Sequence, residues 1–176
     1  FDPQPGRAEK TYCRWMGALQ GVDEFDAEFF NISPLEAEWM DPQQRLFLQA
    51  SWHCIEDAGY APSSLSGSRC GVFVGCTPGD YGEMASDGME VQKMLGGTSS
   101  ILAARISYFL DLQGPCVAMD TACSSSLVAI ANACDSLTLK HGDQALAGGV
   151  YALCGPAMHV MTSQAGMLAA AGRCVA

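Results

Sequence analysis

Positive charge is scarce in this 176-residue sequence: nine Lys and Arg stand against nineteen Asp and Glu, for a formal net charge of -10 at pH 7. The basic residues are scattered singly from Arg7 to Arg173, so no stripe exists to neutralise a phosphate backbone, and nucleic acid is not expected as a partner. Long apolar runs are missing too. None approaches the roughly 18 residues that a membrane span needs, and no basic segment followed by an apolar stretch opens the chain. No membrane association is expected, and a cytoplasmic location is. Metal-ligand spacing is also lacking. Nine cysteines are present, yet no two are spaced C-x-x-C and the odd number leaves one unpaired, which argues against zinc and against a disulfide framework. The expectation is a reducing compartment, thiols used mostly for packing, no metal and no directly bound cofactor.

What is present is enough for one domain with a sizeable core, since 49% of the residues are hydrophobic. The chain opens without Met in a polar segment, Phe1 to Gly6, and stops after Gly172-Arg173-Cys174 with no capping or tail signal, so a piece of a longer chain is expected. Phe1 to Gly21 reads as surface loop with an edge strand around Trp15 to Leu19. Val22 to Ile32 carries Phe25, Phe29 and Phe30 at the spacing of a short helix pinned to a core.

Two helix starts follow with one signature. Ser33-Pro34-Leu35-Glu36 and Asp41-Pro42-Gln43-Gln44 each place a capping side chain first, Pro at the first helical position and Glu or Gln at the third, as in a capping box. The second helix carries an apolar stripe of Leu48, Trp52, Ile55 and Ala58, and Gly59 closes it. Arg45 and His53 on it read as structural. Ala61 to Ser68 is loop, Cys70 to Cys76 a buried strand and Thr77 to Gly88 a mobile loop. Gly96-Gly97-Thr98-Ser99-Ser100 opens a helix over Ile101 to Leu110; with no strand immediately before it and no Lys-Ser/Thr after it, the glycine pair is not a phosphate cradle.

The remainder is organised around Val117 to Leu127. An apolar strand, Cys116 to Met119, runs into a tight turn at Asp120 to Ala122, and Cys123 opens a long helix. Unpaired N–H groups and the positive end of the helix dipole favour an anion there, so this thiol is the one placed to act as a nucleophile. The competing reading is that Cys123 is a small apolar filler like the other cysteines; its position at a strand-to-helix turn sets it apart. The helix is apolar nearly all round up to Leu139 and is expected to be buried inside the domain. Lys140, His141 and Gly142 supply a cationic last turn and a terminal glycine. Ala145 to Leu153 is a strand in which Gly148-Gly149 signals close backbone approach, and His159 reads as core packing. Alternating apolar strands and helices predict an α/β domain with a sheet covered on both faces, layered α/β/α/β/α if the buried helix lies between two sheets.

Asp120-Thr121-Ala122-Cys123-Ser124-Ser125-Ser126-Leu127 resembles the active-site signature of the β-ketoacyl synthases, in particular ketosynthase domains of modular type I polyketide synthases. The likeness continues, in the same order, through Phe25 to Pro34, Met40 to Leu46, Glu56 to Tyr60, Gly71 to Gly75, Ala104 to Tyr108 and Ala145 to Val150. It covers essentially the whole chain. Residues 1–176 are accordingly read as a partial ketosynthase domain, the N-terminal half carrying the nucleophilic cysteine.

The resemblance implies a thiolase-like layered α/β/α/β/α fold, incomplete here, and a homodimer in the full-length enzyme. It implies that Cys123 takes an acyl chain from the phosphopantetheine arm of an acyl carrier protein, with its own N–H as one oxyanion donor. A malonyl thioester would then decarboxylate and its enolate attack the acyl-cysteine, as in polyketide or fatty-acid elongation. Such synthases pair the cysteine with two downstream histidines in H-G-T-G-T-like and G-H segments. His53, His141 and His159 match neither and are given no catalytic role. The family's opening strand is also lacking, Ala131 replaces a common His, Met16-Gly17-Ala18 replaces a Gly-Gly-Phe-like stretch, and Ala170-Ala171 stand where Pro-Asp is usual. The alternatives are a transacylating or priming ketosynthase without condensation, and a non-catalytic ketosynthase-like docking scaffold.

Overall fold

A computed structural model of the chain describes residues 1–4, 7, 9–84 and 90–173. The order is α1 (Pro34–Trp39), α2 (Pro42–Asp57), β1 (Cys70–Cys76), α3 (Tyr81–Met84), α4 (Glu90–Gly97), α5 (Ser99–Phe109), β2 (Cys116–Met119), α6 (Ser125–Thr138), β3 (Gln144–Val150) and α7 (Ala157–Gln164), with 3-10 turns at Pro62–Leu65 and Ala122–Ser124. The three strands form one parallel sheet in the order β2-β1-β3. β1 is central and buried throughout, as expected for an apolar run without alternation.

The side-chain alternation of β1 divides the core in two. Val72 and Val74 face α2 and α5, packing with Leu48, Ile55, Leu102, Ala103 and Ile106. Phe73 faces the other way and packs with Ala129 and Ala133 of α6, flanked by Met119 and Ala145. The crossover from β1 to β2 and that from β2 to β3 run in opposite directions across the sheet, so right-handed connections require their helices on opposite faces. That places the start of α6 at the C-terminal ends of the strands.

Both proposed caps form. Ser33 Oγ accepts from the Glu36 N–H at 3.2 Å and Asp41 Oδ1 from the Gln43 N–H at 2.9 Å. The reciprocal half of a capping box does not form in either. Glu36 and Gln44 turn instead to Arg105 of α5, accepting from Nη1 at 2.5 Å and Nε at 2.9 Å. A planar guanidinium between two acceptors ties α1, α2 and α5 together. Gly59 closes α2 at φ 82°, while Ala58 is exposed and outside the buried stripe.

Several expectations are corrected. Trp15 to Leu19 forms no strand, and Trp15, Met16 and Leu19 are exposed. Val22 to Ile32 is a run of turns: Asp26 Oδ1 takes the Phe29 N–H at 3.0 Å as an N-cap would, but Asn31 sits at φ 55° and the Ile32 N–H bonds back to the Ala27 carbonyl at 2.9 Å, which ends the turn at once. The aromatic residues still reach the core side, with Phe25 stacked on Phe30 at 5.2 Å and Phe29 edge-on to Trp52 at 4.8 Å. α4 was not expected; the loop reading of Thr77 to Gly88 contains α3, and its residues 85–88 lie outside the described residues. α6 is buried only along Ser125, Ala129, Ala133 and Ser136, and Leu127 is 71% exposed, because the sheet covers one side of it and the described residues form no second sheet. No basic residue lies in its last turn; Lys140 takes the left-handed position at φ 60°. Gly142 has another role, since a Cβ there would stand 2.6 Å from the Arg69 carbonyl oxygen. His159 projects from α7, half-buried, with Nε2 3.1 Å from the Cys13 carbonyl.

Candidate active site

The turn that carries Cys123 begins where β2 ends. Asp120 closes the strand with both carboxylate oxygens engaged: Oδ1 accepts the Ala122 N–H at 2.9 Å and Oδ2 accepts the Thr77 hydroxyl at 2.8 Å. Those two hydrogen bonds hold the Asp120 carboxyl below the usual carboxylate range, the Ala122 amide contributing most. Thr77 directly follows β1, so one side chain joins the ends of two neighbouring strands to the turn.

Ala122 lies at φ 55°, a left-handed conformation that is uncommon without glycine. Its hydrogen bonds account for its persistence. Besides the N–H held by Asp120, its carbonyl accepts from Ser125 Oγ at 2.7 Å, and the same hydroxyl accepts the Thr121 N–H at 2.8 Å. Ser124 Oγ donates to the Thr121 carbonyl at 2.8 Å. Cys123 is the middle residue of this 3-10 turn, and α6 begins two residues later, at Ser125. The expectation that Cys123 itself opens the long helix is thus corrected by two residues: the local Ser and Asp hydrogen bonds favour a tighter turn first. The thiol is exposed, and among the described residues none accepts a hydrogen bond from the Cys123 N–H.

Two glycines let the helix start so close to the sheet. A Cβ on Gly75 would stand 2.5 Å from the Ser125 carbonyl oxygen and 2.7 Å from the Ser126 nitrogen, and one on Gly149 would stand 2.6 Å from Ser126 Cβ. The expected close approach at Gly148-Gly149 is therefore specific to Gly149. Gly148 faces the Phe47 ring at 3.3 Å.

Beside the turn, on the α5 side, lies an open cleft lined by Cys76, Pro78, Gly97 to Ser100 and Ala118 to Asp120. Its far wall is braced: Gln44 Nε2 donates to the carbonyls of Leu95 and Thr98 at 3.1 and 3.2 Å. Burial pushes the Cys76 thiol up, opposed by a hydrogen bond to Ser99 and reinforced by the Asp120 charge. A second carboxylate joins the other pair of strand ends, with Asp80 accepting the Cys154 and Gly155 N–H groups at 2.9 Å each. Burial first, then the charges of Asp41 and Asp80, push the Cys154 thiol up to about 11.

The histidines stand apart from this turn. His53 pairs with Glu56 at 3.5 Å on the exposed side of α2. His141 lies beyond the far end of the 14-residue α6, a helix about 20 Å long at the rise of an α-helix. Arg45 packs over the Tyr81 ring, 5.9 Å from its centroid. The eight described cysteines are all free. No described helix is long and apolar enough to cross a membrane.

Sequence reasoning missed Thr77, Asp120 and Ser125 as partners of the turn. An Asp two residues before an amide at a strand end signals an Asx-type bond, but Thr77 is 43 positions away from Asp120 and nothing local names it.

Over residues 1–176 the sequence matches the family described as beta-ketoacyl synthase, N-terminal domain. The chain belongs to the β-ketoacyl synthase family. The fold is the N-terminal part of the thiolase-like α/β architecture. Among solved structures, this β-ketoacyl synthase chain is similar to a ketosynthase from module 6 of the bacillaene synthase of Bacillus subtilis (43% identity, TM-score 0.84, covering 94% of this chain and 28% of that one). It is also similar to an oxazolomycin ketosynthase domain of Streptomyces albus (40% identity, TM-score 0.87, covering 98% and 30%). Curated relatives include polyketide synthase ThaG of Burkholderia thailandensis, 50% identical over 179 residues that make up 99% of this chain and 3% of the relative. A phthioceranic/hydroxyphthioceranic acid synthase of Mycobacterium tuberculosis is 44% identical over 177 residues, 99% of this chain and 8% of the relative. The chain thus spans a small fraction of the curated relatives it matches.

Proposed function

We propose that this chain is the nucleophile-bearing part of an elongating ketosynthase in a polyketide synthase, and that Cys123 is its acyl acceptor. The observation that carries the reading is the exposed thiol at the centre of a turn clamped from both sides, at the C-terminal ends of parallel strands. That is where open α/β sheets place their ligands. Membership of the β-ketoacyl synthase family and similarity to polyketide synthases support the reaction class.

The chemistry divides into two steps. In the first, the Cys123 sulfur, as thiolate, attacks the carbonyl carbon of an acyl thioester held on the phosphopantetheine arm of an acyl carrier protein. The carrier's C–S bond breaks, the acyl group passes to Cys123 and the carrier leaves as a thiol after taking up a proton. The unbonded Cys123 N–H is available to the oxygen that becomes negative during the attack. In the second, a malonyl-type thioester loses carbon dioxide, the resulting enolate carbon attacks the acyl carbonyl on Cys123, and Cys123 leaves as thiolate. The product is a β-ketoacyl thioester on the carrier. Among the described hydrogen bonds and ion pairs none joins a histidine to the turn, so the charge stabilisation of the second step is assigned to no histidine named here. The acyl carrier protein is the expected partner, and the expected assembly of the full-length enzyme is a homodimer in the cytoplasm.

The test is to incubate the full-length synthase with an acyl N-acetylcysteamine thioester and locate the adduct by peptide mass spectrometry. The adduct is expected on Cys123 and is lost in Cys123→Ala. An adduct on Cys76 or Cys134 that persists in Cys123→Ala overturns the assignment.

A further inference from the structure

The Asp120 carboxylate does more than end a strand. Its Oδ1 holds the N–H of Ala122, the left-handed residue immediately before Cys123, and its Oδ2 holds the hydroxyl of Thr77 at the end of β1. The other side of Ala122 is held by Ser125 Oγ, buried at the start of α6. The direction in which Cys123 leaves the backbone depends on the torsions of the residue before it. With Ala122 released from Asp120, it keeps only the hydrogen bonds that its carbonyl accepts from the Ser125 N–H and hydroxyl, and its amide is free to turn toward the right-handed or extended conformations that L-residues prefer. Two residues upstream of Thr77, Gly75 is in contact with Ser125 and Ser126, so the Thr77 hydroxyl references the turn to the strand against which α6 is packed.

We propose that Asp120 is a positioning residue for the Cys123 nucleophile, setting the orientation of the thiol by joining the Ala122 amide to the Thr77 hydroxyl. The inference rests on the reading of Cys123 as acyl acceptor. Asp120 touches no reacting atom; it acts through Ala122. Its two hydrogen bonds can be separated from its charge by substitution. In Asp120→Asn, Oδ1 accepts the Ala122 N–H as before, and Nδ2 donates to the Thr77 hydroxyl, which can accept as well as donate. Asp120→Ala removes both bonds. Thr77→Val removes one and leaves the charge.

The experiment uses the full-length synthase. Iodoacetamide alkylation of Cys123 is followed against pH by peptide mass spectrometry, alongside kcat and KM for self-acylation by an acyl N-acetylcysteamine thioester. In Asp120→Asn, which can keep both hydrogen bonds, the saturated acylation rate is expected within threefold of the parent. In Asp120→Ala the acylation kcat is expected to fall at least tenfold with KM little changed, and the fall to persist above the pH at which alkylation reaches its plateau. Thr77→Val is expected to lie between, several-fold down. A parental kcat in Asp120→Ala or in Thr77→Val overturns the proposal, as does Asp120→Asn that keeps its thermal transition yet fails as severely as Asp120→Ala. If Asp120→Ala does not fold, the other two variants decide. An unacylated parent enzyme would refute the acyl-acceptor reading instead, while the alkylation profiles of the variants would still report whether Asp120 governs the thiol.

Discussion

The backbone of Gly75 lies directly against that of Ser125: a Cβ added to the glycine would stand 2.5 Å from the Ser125 carbonyl oxygen. The obstructing atoms belong to the first turn of α6, so no side chain can rotate away to make room. Relief requires the helix start, and with it the Cys123 turn, to move off the sheet.

Gly75→Ala is therefore expected to destabilise the full-length enzyme by about 1–3 kcal/mol, the usual range for overpacking a filled interior, and to depress acylation of Cys123. Gly148→Ala is the matched control on β3. Its Cβ would meet only the Phe47 ring, at 3.3 Å, so a shift of a few tenths of an ångström accommodates it. Denaturant midpoints of the two variants should separate clearly, with Gly75→Ala the lower.

Arg105 is the hub of a second long-range junction. Its side chain is 14% exposed and bonds Glu36, itself 40% exposed, and Gln44, which is buried. Because Glu36 is partly hydrated, the ion pair counts for less than its distance suggests, and the larger loss in Arg105→Met is the Gln44 carbonyl left without its charged donor. A cost of about 1.5–3 kcal/mol is expected. Arg105→Lys should recover only part of it, since an ammonium cannot present two fixed donors to both acceptors. Urea unfolding of the two variants checks the order.

Asp41 caps α2 while almost wholly enclosed, and its Oδ2 and the Oε1 of Gln43 are buried acceptors without a partner among the described residues. Burial raises its carboxyl above the ordinary 3.8, the Gln43 N–H opposes this, the Asp80 charge adds to it and Arg45 opposes it. A carboxyl raised on folding adds stability that is fully present below 3.8 and lost as the pH rises through the higher folded value. At neutral pH the buried charge is a cost. Asp41→Asn keeps a good N-cap acceptor and is expected to be more stable than the parent at pH 7, with the gain shrinking as the solution is acidified toward 3.8. Thermal melts across that range read the sign.

Cys154 should be the slow thiol of this site. Held up to about 11, it is ionised to roughly one part in ten thousand at pH 7. Iodoacetamide at pH 7 to 8 is expected to label exposed Cys123 and to leave Cys154 unmodified until the pH approaches 11. Labelling of Cys154 ahead of Cys123 at neutral pH would contradict the description of both environments.

What could be read directly from the residues is what a few neighbours determine among themselves. The limits of β1 and β2, the caps at Ser33 and Asp41, the left-handed Gly59 and the strand-turn-helix around Cys123 are all set within about four positions by apolar runs, Pro placement and short side-chain hydrogen bonds. The motif order also carries the family. The tertiary structure decided which distant groups complete those local patterns. Glu36 and Gln44 have the residue types of capping boxes, but Arg105 arrives from α5 as a stronger donor and takes them both. Phe25, Phe29 and Phe30 have helical spacing, but the left-handed Asn31 ends the turn directly after them and their rings cluster without a helix. The composition of α6 calls for burial on all sides, yet one three-stranded sheet can cover only one face. Thr77 meets Asp120 only because β1 and β2 are neighbours in the sheet, and Gly75 is obligatory only because α6 crosses there. Such pairings depend on strand order and crossover direction, which are settled by how the whole core closes rather than by any short stretch of chain.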